Sequence, residues 1–364
     1  MSIKPTVPTR NLTEFARDQL DDLIVSMGEP TFRSKQLFDW IHNKGVRSLE
    51  EMTNVPKSLR RRLEQDGYTV GRVTIDQLQV SVDGTRKLSV RLEDGAVVET
   101  VLIPMGEREY TQCISSQVGC ALDCQFCYTG TLGLSRHLTP GEMEDQVLLG
   151  RSNLPDGAKL SHIVYMGMGE PLHNFDNVVE SIRRISDPNG IGLAQRRITV
   201  STSGLVPAIK KLGETLKVNL AISLNAADDE TRDQIMPVNK TYNLEKLIGA
   251  LRSYPLPPRR KMTMEYVLLG GVNDRPEDAK RLRHLLRGLP VRVNLIPWNP
   301  FQGPGYDRPE ESAVRAFQKT LKGAGFPVTV RVTKGLDIDA ACGQLGERTP
   351  ELVKIEERGE KDGE

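Results

Sequence analysis

The apolar positions of the first 66 residues recur with helical spacing. From about residue 10 onward they fall at rough intervals of three and four, and Asn11 stands where a helix-capping side chain is expected. Gly28 and Pro30 end the first of these helical segments. The pattern therefore predicts a helical N-terminal domain over residues 1–67.

The next stretch alternates apolar and polar residues, as half-buried strands do. The alternation runs from residue 68 to 103 and is interrupted by Asp-Gly pairs at 83–84 and 94–95, which are hairpin-turn signals. These features predict a small antiparallel β extension. Its first part, 68–97, is predicted to be a β-hairpin linker between the helical domain and the rest of the chain.

From about residue 98 to 333, predicted strands alternate with helical segments, two of which have recognisable starts at Thr139 and Asp228. This order is typical of a parallel sheet covered by helices, in which ligands bind beyond the carboxyl ends of the strands. The pattern does not choose between an open sheet and a barrel. The core is predicted over 98–348, followed by a charged, disordered tail over 349–364. The predicted strands are Val98–Ile103, Gln112–Val118, His162–Met166, Ile198–Ser201, Leu216–Leu224, Met262–Leu269, Val291–Pro297 and Val328–Val332.

Charge and composition narrow the classes of function. The 364 residues include 49 basic and 48 acidic side chains, so the net charge is +1 and any nucleic acid must bind to a local patch. Residues 31–62 form such a patch, with eight Lys or Arg against three Asp or Glu, although a solvated helix face has the same composition. No apolar stretch has the length of a membrane span or of a signal-peptide core. We therefore expect a cytoplasmic protein without a membrane partner.

Three of the five cysteines lie within eight positions, at Cys120, Cys124 and Cys127. This C-x3-C-x2-C segment follows a predicted strand, so the thiols lie on a loop at a carboxyl end. Three thiolates hold three corners of a cubane iron–sulfur cluster and leave the fourth iron open for a ligand. The alternative is a zinc site with Cys113 as fourth ligand, although its distance from Cys120 fits zinc spacing poorly. Without further context, Cys113 and Cys342 are interpreted as inert buried thiols.

The cysteine spacing, with Phe126 directly before the third cysteine, is the signature of the radical S-adenosylmethionine (SAM) superfamily. The chain is further similar to the RNA adenine methyltransferases of the RlmN/Cfr family over nearly its whole length. It most resembles the members that methylate C2 of adenine in 23S rRNA and in certain tRNAs. The segments that carry this resemblance are SSQVGCALDC at 115–124, MGMGEP at 166–171, IPWNP at 296–300 and DIDAACGQL at 337–345.

The resemblance implies a fold and a set of cofactors. The fold is of the α/β class, a partial (β/α)6 radical SAM barrel with an N-terminal helical domain and a small antiparallel β extension. The cofactors are a [4Fe–4S] cluster, bound by Cys120, Cys124 and Cys127, and SAM, chelated by the open iron. Asn225 departs from the family pattern, in which we expect a histidine. The residues implied in SAM binding are Gly169, Glu170, Ser201, Ser223, Leu224, Asn225 and Asn299.

The resemblance also implies a covalent route that uses two SAM molecules per methylation. Cys342 takes a methyl group from the first SAM, and a radical made from the second removes hydrogen from that methyl group. The carbon then bonds to C2 of adenine and crosslinks protein to RNA. Cys113 attacks the sulfur of Cys342, which forms a disulfide and releases the RNA. Glu99 is the candidate base for the C2 proton.

The implied partners are rRNA and tRNA, an electron donor such as a flavodoxin, and a thiol reductant that resets the disulfide. We expect a monomer. The helical domain, with Trp40, Arg47 and Arg60–Arg62, is the predicted platform for RNA. Three alternatives stay open: methylation of adenine C8 by the same residues, another radical SAM reaction such as glycyl-radical activation, and a non-catalytic, zinc-stabilised RNA-binding protein.

Overall fold

The structure is a computed structural model that describes residues 10–71, 73–301 and 305–346. The predicted tail, 349–364, lies outside the described residues. Within them, no helix is long and apolar enough to cross a lipid bilayer. The strands are β1 (Arg10–Asn11), β2 (Tyr68–Thr69), β3 (Thr74–Val80), β4 (Arg86–Arg91), β5 (Val97–Pro104), β6 (Glu109–Ile114), β7 (Gln117–Gly119), β8 (Leu134–His137), β9 (Lys159–Tyr165), β10 (Ile198–Thr202), β11 (Asn219–Ser223), β12 (Met262–Leu268), β13 (Val291–Pro297) and β14 (Val328–Val330). The α-helices are α1 (Arg17–Ser26), α2 (Phe32–Phe38), α3 (Lys57–Gln65), α4 (Tyr128–Thr131), α5 (Pro140–Ser152), α6 (Phe175–Ile185), α7 (Val206–Thr215), α8 (Asp229–Ile235), α9 (Leu244–Arg252), α10 (Pro276–Leu285) and α11 (Glu311–Gly323).

Seven parallel strands make up most of a ten-stranded sheet. Its order is β14-β13-β12-β11-β10-β9-β6-β5-β4-β3, in which β6 and β9 to β14 are parallel and the other three are antiparallel. A helix connects each parallel strand to the next: α5, α6, α7, α9, α10 and α11 in turn. Six β/α units and a seventh strand therefore form the core. The predicted α/β class with a partial (β/α)6 barrel is confirmed.

The sheet curves, which brings its first and last parallel strands to one cavity. Cys113 on β6 and Arg331 directly after β14 line the same cavity, although the two strands are six positions apart in the sheet order. In the described part of the chain, β14 and β3 are the sheet edges, so the barrel is open on one side. The strands between are rich in Val, Ile and Leu because helices cover their outer face.

Two of the predicted strands differ from the observed ones. The segment Gln112–Val118 is divided between β6 and β7, because β7 leaves the large sheet and pairs with β8 as an antiparallel hairpin. The segment Val98–Ile103 belongs to β5, which is antiparallel to both of its neighbours. The strands β3 and β4 of the predicted linker therefore continue the large sheet.

Both predicted helix starts are confirmed. Glu142 N donates to Thr139 Oγ1 at 3.1 Å and Thr139 N donates to Glu142 Oε2 at 2.9 Å, which is a capping box at the beginning of α5. At the beginning of α8, Thr231 N donates to Asp228 Oδ1 at 2.8 Å. These caps hold the two helices against the sheet at defined points.

The helices α1, α2 and α3 enclose an apolar core of their own, and the parallel pair β1–β2 joins the two ends of this region. One turn of π-helix, Asp39–Asn43, continues α2 directly. The region contacts α5 of the barrel through pairs of ionisable side chains. His42 Nδ1 lies 2.7 Å from Glu144 Oε1, and Arg47 Nη1 lies 2.8 Å from Asp145 Oδ1. The helical region is thus fixed to the barrel by polar side-chain contacts as well as by apolar contact.

Candidate active site

The cysteine loop lies between the two arms of the β7–β8 hairpin, above the carboxyl ends of the parallel strands. Cys120 N donates to the carbonyl oxygen of Gly133 at 2.8 Å, and Cys127 N donates to that of Cys124 at 3.0 Å. The indole Nε1 of Trp298, which follows β13, donates to the carbonyl oxygen of Phe126 at 3.0 Å. These bonds hold the loop over the barrel, so the predicted position at a strand's carboxyl end agrees with the structure.

The three loop thiols are close together and resist ionisation. Burial raises the pKa of Cys120 to about 11, and burial also raises the pKa of Cys124 and of Cys127. Repulsion from neighbouring thiolates adds to the rise at Cys120 and Cys124. Such thiols lose their protons when they bind a metal, because the positive charge replaces the lost hydration. The loop is therefore chemically suited to hold iron.

The arrangement of the loop thiols gives no support to a site for a single metal ion. In residues 10–71, 73–301 and 305–346, no three His, Cys, Asp or Glu side chains converge as ligands of one metal ion. A cubane cluster binds each thiolate through a different iron, so its ligands are spread more widely than those of one zinc ion. Cys113, the predicted fourth zinc ligand, does not line the cavity under the cysteine loop. The zinc alternative is not supported.

Two open cavities meet above the strand ends. The first lies under the cysteine loop, and the second opens beside Cys113. Cys342 lines both of them. The other shared wall residues are Met166, Ile296, Asn299, Arg331 and Leu345. The two cysteines outside the loop are thus placed around one junction, with Cys342 accessible from either side.

Gly169 and Glu170 follow β9 and line the first cavity. The φ of Gly169 is +97°, and an added Cβ would lie 2.5 Å from Gln117 Cβ, so only glycine fits there. The buried carboxylate of Glu170 accepts from Leu172 N at 3.0 Å and from Ser203 N at 2.8 Å. It joins the ends of β9 and β10 beside the first cavity.

The other residues implied in SAM binding divide into two groups. Ser201, Ser223, Asn225 and Asn299 line the first cavity. Leu224 is fully buried and does not line it.

Asn225 has a left-handed backbone, with a φ of +57°, and its Oδ1 accepts from Val267 N at 2.8 Å. Asparagine tolerates this conformation well. The residue therefore has a structural role at the carboxyl end of β11 in addition to its predicted one.

The segment that carries Cys342 is bound directly to the cysteine loop. Tyr128 N donates to the carbonyl oxygen of Gly343 at 2.8 Å, and Thr129 Oγ1 donates to that of Leu345 at 2.6 Å. Asn299 Nδ2 donates to the carbonyl oxygen of Cys342 at 3.3 Å. Residues that are more than 200 positions apart are thus held in contact, with Cys342 next to the predicted cluster ligands.

The guanidinium of Arg331 acts on both free cysteines at this junction. Burial raises the pKa of Cys113 to about 12 and that of Cys342 to about 11, and the guanidinium of Arg331 opposes both shifts. Cys342 is exposed to the cavity solvent although protein surrounds it on most sides. Cys113 is buried. The two thiols therefore differ in access while they share one electrostatic environment.

Glu99, the predicted base, is engaged elsewhere. Its Oε1 lies 3.1 Å from Lys87 Nζ, and its Oε2 accepts from Gly346 N at 2.7 Å. It is buried on β5 and is not among the residues that line either cavity. In this conformation the carboxylate anchors the C-terminal loop rather than facing a substrate.

Several residues of the predicted RNA platform are bound within the protein. Arg47 pairs with Asp145, Arg60 donates to the carbonyl oxygen of Glu50, and Arg62 donates to that of Met27. Lys44 Nζ lies 3.5 Å from the ring centroid of Trp40. The RNA role of this region stays a prediction, and Arg47 in particular acts as a link to the barrel.

Two residues at the junction were not predicted from the sequence. Arg331 lines both cavities, and Glu265 on β12 lines the first. The available signal for Glu265 was a charged residue inside an otherwise apolar strand, MTMEYVL. For Arg331 no comparable signal exists, because a basic residue after an edge strand is ordinary.

Comparison with known proteins agrees with this geometry. Residues 10–68 match the family described as the ribosomal RNA large subunit methyltransferase N-terminal domain, and residues 114–283 match the radical SAM superfamily. A crystal structure of a radical SAM methyltransferase from Sphaerobacter thermophilus superposes with a TM-score of 0.89 at 40% identity, covering 92% of this chain and 99% of that one. The superfamily implies SAM and an iron–sulfur cluster as cofactors.

Curated relatives cover nearly the whole chain. The dual-specificity RNA methyltransferase RlmN of Sorangium cellulosum is 47% identical, over 88% of this chain and 92% of its own length. That of Marinobacter nauticus is 45% identical, over 96% and 95%. The matches extend over most of this chain and of each relative, and they include the barrel, the cysteine loop and the C-terminal loop. The chain therefore belongs to the RlmN family of dual-specificity RNA methyltransferases, within the radical SAM superfamily.

Proposed function

We propose that this protein methylates C2 of an adenine in 23S rRNA and in tRNA. The observation that carries the proposal is the position of Cys342. It lies at the junction of two cavities, bound through its loop to the cysteine loop on one side and close to Cys113 on the other. A carbon attached to Cys342 is therefore within reach of a cofactor in the first cavity and of a base in the second.

Cys120, Cys124 and Cys127 would hold a [4Fe–4S] cluster, and the chemistry of their buried, mutually close thiols fits that role. When bound, the cluster supplies the electron that cleaves SAM. The protein's own contribution is to place the cofactor along the strand ends, with Gly169 allowing close approach and Glu170 offering acceptor oxygens. An external electron donor such as a flavodoxin and a monomeric state belong to the same proposal.

The covalent steps use both free cysteines. The Cys342 thiolate displaces S-adenosylhomocysteine from a first SAM and becomes S-methylcysteine. After a hydrogen atom is removed from that methyl group, the carbon bonds to C2 of adenine, and the adduct radical gives up one electron to the electron carrier and the C2 proton to a base. The Cys113 thiolate then attacks the sulfur of Cys342, so that an S–S bond forms as the S–C bond breaks, and a thiol reductant restores both cysteines. The product carbon gains a proton and C2 loses one.

Glu99 can act as the base in this proposal only if its side chain changes its contacts. To remove the C2 proton, its carboxylate must leave Lys87 and Gly346 and reach the second cavity, directly or through water. The described conformation supports a role in holding the C-terminal loop, which keeps Cys342 in place. The two roles make different predictions for the stability of a Glu99 variant.

The test is anaerobic reconstitution followed by methylation of an rRNA fragment and of tRNA, with mass analysis of the product nucleoside. We expect 2-methyladenosine. Formation of 8-methyladenosine would contradict the C2 assignment, and a preparation without iron and sulfide would contradict the cluster.

Two cysteine variants separate the covalent steps. Cys113→Ala is expected to accumulate a protein–RNA crosslink, because the bond from Cys342 to the base forms but is not cleaved. Cys342→Ala is expected to bind its cluster normally and to form neither crosslink nor product. Methylation by Cys342→Ala would refute the carrier role of this thiol.

A further inference from the structure

Arg331 at the junction of the two cavities and Glu265 in the wall of the first both have unused hydrogen-bonding capacity. Glu265 is 6% exposed, and its Oε1 accepts from Asn294 Nδ2 at 3.0 Å. Its Oε2 is buried and has no hydrogen-bond partner among the described residues. An unpaired buried carboxylate oxygen is costly, so a cationic group or a ligand is expected to face it.

Arg331 provides that cation, although its guanidinium lies more than 4 Å from the carboxylate of Glu265. Its backbone N–H donates to the carbonyl oxygen of Leu295 at 2.8 Å, which fixes the start of its side chain beside β13. In the described part of the chain its guanidinium has no hydrogen-bond acceptor and forms no ion pair within 4 Å. Its charge nevertheless interacts with Glu265, Cys342 and Cys113. A guanidinium has five donors in a planar fork, so this one is left with its donors available at the junction.

The position of Arg331 identifies the chemistry of the ligand. The transferred carbon is attached to Cys342, and Arg331 shares both cavities with that residue. A base whose C2 reaches the sulfur of Cys342 therefore lies beside the guanidinium. C2 of adenine is flanked by N1 and N3, which are both hydrogen-bond acceptors. C8 is flanked by N7 and by N9, whose lone pair is not available because N9 carries the sugar.

Building on the proposed function, we infer that Arg331 donates a hydrogen bond to N1 or N3 of the target adenine, while Glu265 holds the guanidinium in orientation from the β12 side. The bond orients C2 toward Cys342. It also draws electron density from C2, which makes this carbon more reactive toward the carbon radical that adds to it. Arg331 is thus a substrate-binding residue, and Glu265 is a positioning residue.

The experiment uses RNA with 1-deazaadenosine or 3-deazaadenosine at the target position, which replaces one ring nitrogen by C–H. Crosslink formation is measured with Cys113→Ala protein and with the same protein carrying Arg331→Met. Methylation of Cys342 by SAM, followed by intact mass, reports on folding and cofactor binding separately. We expect one of the two deaza bases to slow crosslinking by about 10- to 100-fold when Arg331 is present, as the loss of a charge-assisted hydrogen bond requires.

With Arg331→Met, the same deaza base is expected to cause only the loss that its own intrinsic reactivity produces, and this contribution cancels when the discrimination by the two proteins is compared. Lys334→Met removes another cation of the second cavity and is expected to keep the full discrimination. Glu265→Gln is expected to reduce it, since the guanidinium then loses its oriented counter-charge.

The inference is overturned if the Arg331 protein accepts both deaza bases as well as adenine, or if Arg331→Met discriminates against them as strongly as the protein with Arg331. Arg331→Lys repeats the comparison in a variant that keeps the charge and the fold. We expect it to discriminate less than arginine, and equal discrimination would count against the fork geometry. Absence of any crosslink with adenine RNA would instead refute the proposed function itself.

Discussion

The Glu99→Gln substitution separates an anchoring role of this carboxylate from a catalytic one. Lys87 Nζ lies 3.1 Å from Oε1, and the two side chains are only 9% and 6% exposed. Gly346 N donates to Oε2 at 2.7 Å. Glutamine has one oxygen instead of two, so either the ammonium of Lys87 or the amide of Gly346 loses its acceptor.

The expected loss of stability follows from the burial of the Lys87–Glu99 ion pair. At 3.1 Å and an effective dielectric constant of about 20, two unit charges attract by about 5 kcal/mol. Removal of one partner of a buried pair costs about 3–5 kcal/mol, because the other charge stays buried. The carbonyl oxygen of Asp339, at 3.5 Å from Lys87 Nζ, offers a weak alternative acceptor. We therefore expect Glu99→Gln to lower the free energy of unfolding by about 3 kcal/mol.

The assay is urea unfolding of the wild type, of Glu99→Gln and of the double variant that also carries Lys87→Met. The double variant removes the unpaired ammonium and leaves the glutamine oxygen for Gly346, so most of the loss should be recovered. If Glu99→Gln unfolds at the wild-type urea concentration, the anchoring argument is refuted. A base without structural function makes the opposite prediction, which is unchanged stability together with an accumulating crosslink.

Three further changes test other contacts. Gly169→Ala places a Cβ against a neighbouring side chain at a left-handed φ. In calorimetry it should weaken the binding of S-adenosylhomocysteine by about tenfold or more. Gly249→Ala, on a helix with free space around it, is the control and should leave binding unchanged. Thr129→Val removes a buried donor to the C-terminal loop and should increase the rate at which iodoacetamide alkylates Cys342, with a loss of about 1–2 kcal/mol in stability. Burial raises the pKa of Asp145 to about 7. The stability that its protonated form contributes is present below about pH 4 and is lost as the pH rises to about 7. Asp145→Asn should therefore flatten the pH dependence of the urea-unfolding free energy over that range.

Each of these has a contradicting result. Equal ligand affinity of the two glycine variants would show that the close approach at Gly169 is unimportant. An unchanged alkylation rate in Thr129→Val would show that other bonds hold the loop. A pH profile of Asp145→Asn parallel to that of the wild type would mean that this carboxyl does not titrate differently on folding.

The sequence was sufficient for features that depend on local pattern. The alternation of strands and helices, the caps at Thr139 and Asp228, and the cysteine loop at a strand's carboxyl end all follow from spacing within about ten residues. The direction of β5 was not predictable in this way, because a strand pattern carries no information on whether its neighbour is parallel. The break between β6 and β7 was missed for the same reason, since the pairing partner of β7 decides it.

The site contained further features that depend on distant parts of the chain. The sequence does not show which face of the sheet Glu99 lies on, and only the fold brings Lys87 and Gly346 to its carboxylate. Arg331 acquires its position because the curved sheet places the end of β14 opposite β6. Such contacts depend on tertiary geometry, which neither the hydrophobic period nor the motif spacing encodes.

The contact between the cysteine loop and the C-terminal loop has a consequence for biosynthesis. The chain between Cys127 and Cys342 takes roughly 10–40 s to translate at rates of about 5–20 residues per second. For most of that interval the three loop thiols have left the ribosome, while the segment that later contacts them does not yet exist. The loop of Cys120, Cys124 and Cys127 is therefore made well before the segment of Cys342 that contacts it in the folded protein.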